Sequence, residues 1–411
     1  MKTFPRFTLC TLTGLLLLAC GGTKTDQKTT QTMQASQGTF GHDVAFLKRH
    51  QDVLVLTSPD NDSAQIAVIG AYQGRVMTST ANGAGGNSFG WINYKLIESG
   101  RYQPHMNAFG GEDRIWLSPE GGQFSVYFKP AAPFTFDEWQ TPAIIDTTAY
   151  TLDKATGSEA VFSKTASLTN HAGVTFDIRI ERKVSVFSKT AIAGLFPDTD
   201  LTGVNVVGYE TANTLENTGA DWHRDKGVLG IWILGMFTPS PKTTIIAPFT
   251  STYSEKLLLT DTYFGKVPAD RLKVLDQAVI MRADGNHRSK IGLAGLSARP
   301  FAGSYDAGKG VLTIVQYDLS PTGDYLKSTW EQHNDPYGGD ALNAYNDGPL
   351  ADGSQLGPFY ELESNSSVKA LKKGETLTHH HRTFHFEGPA DKLAPIAKAF
   401  LGVDLQTDLN W

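Results

Sequence analysis

The sequence predicts an all-β protein, a large antiparallel β-supersandwich with few short helices. Three observations carry that expectation. Apolar and polar residues alternate with period two in many short runs along the chain. The 411 residues include 41 glycines and 19 prolines, which interrupt nearly every stretch long enough to hold a helix. No unit of 20–50 residues recurs, which sets propellers and solenoids aside.

The elements follow in order. One helix is expected early, over residues 43–50. Val53-Leu54-Val55-Leu56 then runs through the turn residues Ser58-Pro59-Asp60-Asn61-Asp62 into Ala64-Gln65-Ile66-Ala67-Val68-Ile69. Alternation recurs at residues 124–128, 176–184, 311–315 and 381–386. Such runs, bounded by Gly, Pro, Asn and Asp, are strands with one face toward a core. Length would permit two domains, but no second linker interrupts residues 39–411, so a single domain is expected there.

Ahead of that domain, Met1-Lys2-Thr3-Phe4-Pro5-Arg6 is a basic head and residues 7–19 are uncharged and largely apolar. The run is too short to span a bilayer, and Leu17-Leu18-Ala19-Cys20 closes it. This resembles a bacterial lipoprotein signal, which implies removal of residues 1–19 and lipidation of Cys20. The competing reading is an ordinary secretory signal with an incidental cysteine. Gly21-Gly22 in place of an aspartate resembles lipoproteins sent to an outer membrane, so a lipid-anchored place in the bacterial cell envelope is expected. Residues 20–38 are rich in Thr, Gln, Ser, Gly and Lys and read as a flexible tether.

The chain has two cysteines. Cys10 lies in the signal, so the mature body has no disulfide and must rely on its core. Losing Lys2 and Arg6 leaves 34 basic against 42 acidic side chains. That balance disfavours nucleic acid as a partner.

Three segments concentrate reactive side chains. The first, residues 102–122, sets His105, Glu112, Asp113, Arg114, Trp116 and Glu120 among Gly110-Gly111 and Gly121-Gly122. Paired glycines let backbone approach a ligand. A flat indole with planar carboxylates and a guanidinium suits a sugar, mono- or oligosaccharide. A rigid, ion-paired loop would have the same composition.

The second segment comprises residues 337–349, with Asn346 and Asp347, and then Phe359-Tyr360-Glu361-Leu362-Glu363-Ser364. On a strand, Glu361 and Glu363 share a side. Two close carboxylates raise one another's pKa, which suits one to accept a proton near neutrality. Asn346-Asp347-Gly348-Pro349 is equally a plain turn signal.

The third is Thr378-His379-His380-His381-Arg382-Thr383-Phe384-His385-Phe386. His379, His381 and His385 fall on one face of a strand. Alternate histidines can hold a divalent metal, with Glu361 or Glu363 as a further ligand, although the pattern is weakly specific. Otherwise they line a cleft as neutral hydrogen-bonding groups or simply pack. No cofactor is predicted beyond that possible metal. Near Asp284-Gly285, Lys290 could reach a cleft, with a surface lysine as the preferred reading.

Together these segments resemble the galactose-mutarotase-like (aldose 1-epimerase-like) superfamily, within it an uncharacterised envelope-protein family. The likeness rests on Gly74-Arg75-Val76, on Phe109-Gly110-Gly111 with Arg114-Ile115-Trp116, and on Glu361-Leu362-Glu363 followed by Leu371-Lys372-Lys373-Gly374-Glu375-Thr376. It implies a supersandwich with an open sugar cleft and a base at Glu361 or Glu363. Arg75, Arg114, Trp116, Glu120, Asn346 and Asp347 would contact the sugar. The family's acid histidine has no counterpart on the strand Gly230-Ile231-Trp232-Ile233-Leu234-Gly235-Met236, so His105 or His381 would have to substitute. Two functions therefore stand side by side: a carbohydrate epimerase or related lyase or hydrolase, and a non-catalytic glycan-binding lipoprotein. A protein-binding scaffold is a third reading with no specific feature behind it.

Overall fold

A computed structural model describes residues 36–411. The expected signal peptide, Cys20 and the tether as far as residue 35 lie outside the described residues.

The chain enters through helix α1 (Phe40–Leu47) and strands β1 (Leu54–Ser58), β2 (Asn61–Ile69) and β3 (Arg75–Thr80), which form a three-stranded sheet. Helix α2 (Tyr94–Ser99) starts where the Asn93 side chain accepts the Leu96 N–H and stops at Gly100 in the left-handed region. Then come β4 (Arg114–Ser118), α3 (Ala143–Asp146), β5 (Thr151–Ala155), β6 (Glu159–Thr169) and β7 (Thr175–Val186). Helix α4 (Lys189–Leu195) leads to β8 (Asn205–Asn217), β9 (Gly230–Phe237) and β10 (Thr243–Pro248). Next are β11 (Leu259–Thr260), β12 (Leu272–Val274), β13 (Ala278–Arg282) and β14 (Ser289–Ala294). The chain closes with β15 (Phe301–Asp306), β16 (Val311–Tyr317), β17 (Asp340–Asn346), β18 (Tyr360–Asn365), β19 (Thr376–Glu387) and helix α5 (Ala390–Leu401).

Two antiparallel sheets dominate, so the all-β supersandwich expectation is met. The larger runs β12-β13-β10-β15-β16-β19-β8-β7-β6-β5, and the smaller runs β11-β14-β17-β18-β9-β4. Their facing sides share a core. Ile245, Met281 and Val315 of the large sheet meet Ile291, Leu342, Ala344 and Leu362 of the small one. The outer face of the large sheet is covered by α4 and α5, whose Ile192, Leu393, Ile396 and Leu401 pack on Ile246, Ile280, Ile314 and Phe384. The small sheet's other face therefore remains for polar side chains and the loops that cross it.

One expected strand does not form. Residues 124–128 lie outside every strand, although Phe124, Tyr127 and Phe128 are buried. Residues 124–128 are all buried, so the segment is a packed loop with no outward-facing side. The Tyr127 hydroxyl donates to the Leu117 carbonyl at 2.9 Å in place of ladder pairing.

Among the described residues no helix is long and apolar enough to cross a membrane. This says nothing about strands.

Candidate functional site

The site grows from the period of β18. Tyr360, Leu362 and Ser364 point into the sandwich; Glu361 and Glu363 point to the other face. Register brings neighbours to them. Glu363 lies across from Leu234 of β9 and Asn343 of β17, and Leu234 in turn lies across from Arg114 of β4. Lys290 of β14 pairs with Tyr345 of β17, itself opposite Glu361. Thus Arg114, Trp116, Trp232, Glu361, Glu363, Tyr345 and Lys290 share one face.

Ion pairs tie this face together. Arg114 Nη2 donates to Glu361 Oε1 at 2.7 Å. Lys290 Nζ and Trp232 Nε1 both donate to Glu363 Oε2, at 2.9 and 3.0 Å. Glu363 Oε1 has no partner, nor have Arg114 Nε and Trp116 Nε1, and all three atoms are buried. Burial raises Glu361 to about 7, against the opposing pull of Arg114 and with Glu363 pushing further upward. Asp340, on the same sheet, is raised by burial to about 6 despite the Tyr263 hydroxyl bound to it.

Aromatic rings form the cover. Trp116 meets Trp232 edge-on at 5.5 Å, and the Arg114 guanidinium sits 4.6 Å over the Trp116 ring. Trp139 lies 6.4 Å from Trp116, and Trp330 5.8 Å from Trp139. Trp330 Nε1 donates to Glu120 Oε1 at 3.3 Å. Burial raises the Glu120 carboxyl, with Lys290 and Trp330 opposing. The ammonium of Lys290 rests 4.8 Å from the Trp232 ring and 5.6 Å from that of Tyr263.

Of the residues singled out from sequence, Arg114, Trp116, Glu120, Glu361 and Glu363 come together here. Others do not. His381 is corrected: it lies between the sheets, where Ser364 Oγ holds its Nδ1 at 2.8 Å and His379 Nε2 at 2.8 Å. Burial lowers His379 to about 3 and His381 to about 4, so both stay neutral. The carboxylates face the opposite way, so they cannot join these histidines around a metal. Among the described residues no cluster of three or more His, Cys, Asp or Glu side chains is placed to hold one.

Arg75 is also corrected. It is buried beneath the turn before β4, donating to the Gly110 carbonyl at 2.9 Å and to Gln73 Oε1 at 3.0 Å, which leaves it no surface for a sugar. The paired glycines serve the same closeness. A Cβ on Gly110 would lie 2.0 Å from the Trp91 carbonyl oxygen, and φ there is +95°. Backbone approaches backbone here, and no ligand is needed to explain the pair.

Asn346 and Asp347 are braces. Asn346 accepts from the Gly285 N–H at 2.9 Å and donates to the His287 carbonyl at 2.8 Å. Asp347 accepts from the Tyr345 hydroxyl at 2.5 Å and from the Gly357 N–H at 3.0 Å. His105 stands at the rim, its Nδ1 donating to the Trp139 carbonyl at 2.6 Å. Glu112 and Asp113 turn inward: Glu112 accepts from Tyr209 and His385, while Asp113 binds Arg182 and Thr211.

Sequence reasoning misplaced Lys290, whose side chain is 12% exposed and paired rather than on the surface. Its signal was a lysine between the core residues Ser289 and Ile291, facing the way of Gly292. Trp139, Trp330 and Tyr263 had no signal, since loops carry them across the sheet.

The model of a family of unknown function, DUF6786, matches residues 38–409. No curated protein matches the chain. Among solved structures, the chain is similar to a proposed aldose 1-epimerase from Escherichia coli K12. Identity is 12%, coverage is 82% of this chain and 100% of that one, and the TM-score is 0.48. It is similar to the Slr1438 protein from Synechocystis sp. PCC 6803 at 12% identity, covering 82% and 96%, with a TM-score of 0.49. A galactose mutarotase-like protein from Lactobacillus casei is 9% identical, with 81% and 100% covered and a TM-score of 0.43. No residue role follows from likenesses this distant.

Proposed function

This chain belongs to the DUF6786 family, and from that premise we propose that its six-stranded sheet carries a carbohydrate site with Glu363 as proton acceptor. One observation carries the reading: Glu363 has one oxygen occupied by Lys290 and Trp232 and the other without a partner. The Lys290 ammonium gives the buried carboxylate a counter-charge at 2.9 Å. Glu363 is fully buried under the aromatic cover, so the loops bearing Trp139 and Trp330 must lift before the unpartnered oxygen accepts from a sugar hydroxyl. At an anomeric hydroxyl it then takes the proton. Trp116 supports the Arg114 guanidinium, which in turn holds Glu361 in place.

Ring opening also needs an acid at the ring oxygen. The cation nearest Glu363 is Lys290, which fills that role in an epimerase. A second reading, binding without turnover, is favoured by Trp232. Its indole N–H, on Glu363, donates a hydrogen bond but gives up no proton.

The test has two parts. Aldoses are screened for a rise in melting midpoint of the soluble domain, and anomer equilibration is followed by polarimetry. Binding with accelerated equilibration supports the epimerase, and binding alone supports the second reading. If no aldose or oligosaccharide shifts the midpoint, the carbohydrate proposal is lost.

The proposal extends to location. Leu17-Leu18-Ala19-Cys20 supports a lipid on Cys20 that holds the domain at an envelope membrane, with the outer membrane favoured by Gly21-Gly22.

A further inference from the structure

Three strands of the large sheet set a polar row on its outer face. Thr244 of β10 lies directly across from Arg282 of β13 on one side and from Tyr305 of β15 on the other. Directly paired residues point the same way. Thr244 is two residues from Ile246 and Arg282 two from Ile280, and both isoleucines pack in the cluster with Leu393 and Ile396 of α5. The row therefore lies on the face that carries α5.

Residues 403–411 come back over this row. Val403 and Leu405 are buried in the same cluster, and Leu409 and Trp411 pack against it. A turn fixes the segment: Asp404 Oδ1 accepts from the N–H groups of Gln406 and Thr407 at 2.8 and 3.1 Å. Trp411 Nε1 donates to Thr244 Oγ1 at 3.0 Å, and the Arg282 guanidinium stands 4.7 Å from the centre of the indole. Lys273 Nζ donates to the Asn410 carbonyl at 2.5 Å.

Between row and segment lies a cavity of about 260 Å³. Arg282, Thr244 and Tyr305 form its floor, Leu405, Leu409 and Trp411 its wall, and Lys242 also lines it. No lining residue is acidic. Arg282 donates through Nε to the Asp270 carbonyl at 2.9 Å. Among the described residues, its two terminal nitrogens, the Lys242 ammonium and the Tyr305 hydroxyl have no hydrogen-bond or carboxylate partner. Tyr305 is only 6% exposed, so its hydroxyl is a buried donor that meets the cavity. Cations and hydroxyl donors without an acid among them select an anion, and a guanidinium fork matches a carboxylate. The leucine and indole walls select an apolar body. At a water's share of about 30 Å³ the space equals about nine waters, which suits one aromatic ring with its carboxylate.

We propose that this cavity is a second ligand site, for a small organic carboxylate with an apolar body. It lies on the large sheet, whereas Glu361 and Glu363 belong to the small one, and it does not depend on the carbohydrate reading.

The experiment is titration calorimetry of the purified protein with benzoate, set against benzyl alcohol, acetate and inorganic phosphate. Benzoate is expected to bind at least about tenfold more tightly than each of the three, which lack its charge or its ring. Arg282→Gln, Lys242→Gln and Tyr305→Phe should each weaken benzoate by about three- to tenfold. Lys242 is exposed and Tyr305→Phe keeps the ring, so these two variants are expected to melt with the wild type even if Arg282→Gln loosens Trp411. Absence of benzoate binding overturns the site, as does equal binding of benzyl alcohol, acetate or phosphate. So does a benzoate affinity that is unchanged in Lys242→Gln and Tyr305→Phe.

Discussion

Glu363 and Ser364 are neighbours in sequence and lie on opposite sides of β18. Glu363 meets Lys290 and Trp232 on the face under the loops, whereas Ser364 meets His379 and His381 between the sheets. One residue of register thus separates a charged site from a neutral histidine pair, and each side makes its own expectation.

Glu363→Gln should destabilise the fold as well as end sugar binding. It leaves the Lys290 ammonium buried without a counter-charge, at a cost of about 3 kcal/mol. Urea unfolding measures this, and Lys290→Met in the same chain should recover most of the loss. Equal stability of Glu363→Gln and wild type would mean that the pair is solvated.

Glu361 makes stability depend on pH in one direction. Its folded pKa, about 7, lies above the unfolded value. The folded state therefore binds the proton more tightly, and stability falls as pH rises from about 4.3 toward 7. Glu361→Gln should remove that decline from the stability profile. A profile identical to that of wild type would show that Glu361 is ionised throughout.

His379 and His381 act oppositely in an overlapping window. Their folded values, about 3 and about 4, lie below the unfolded one. The unfolded chain takes up the proton first, so stability is lost as pH falls from about 6.5 toward 4. His381→Gln should shallow this acid limb and leave sugar affinity unchanged. A tenfold loss of affinity would place His381 in the site after all.

Arg182 donates to the Gly74 carbonyl at 3.0 Å, to Asn213 Oδ1 at 2.6 Å and to Asp113, all in the interior. Arg182→Met strands the Asp113 carboxylate and should cost about 3–5 kcal/mol. Arg182→Lys should recover little, since an ammonium lacks the planar fork. Chemical denaturation at neutral pH checks both.

Cys20→Ser should release the protein from membranes into the soluble fraction when expressed in a bacterial host. Fractionation with labelled fatty acid follows it. Continued membrane association without label would point to a different anchor.

Much of the fold was legible because a half-buried strand writes its two faces as alternation. Glu361 and Glu363 could be assigned a common side from spacing alone, and so could His379, His381 and His385. Arg114 and Trp116 were singled out only for their chemistry, in a segment read as a glycine-flanked loop, and their common side follows from strand β4. Residues 124–128 misled, since a loop buried on all sides can carry an alternating sequence without a partner strand.

What the chain determined by itself was local: which side chains share a face and where turns fall. Which face looks into the core, and which meets the loops, depended on how two sheets stack. That decided that Ser364 and His381 lie inside, that Lys290 reaches Glu363, and that Arg75 braces a turn. Stacking is a long-range matter of burying apolar area and pairing every buried charge, and alternation has the same period whichever face is buried.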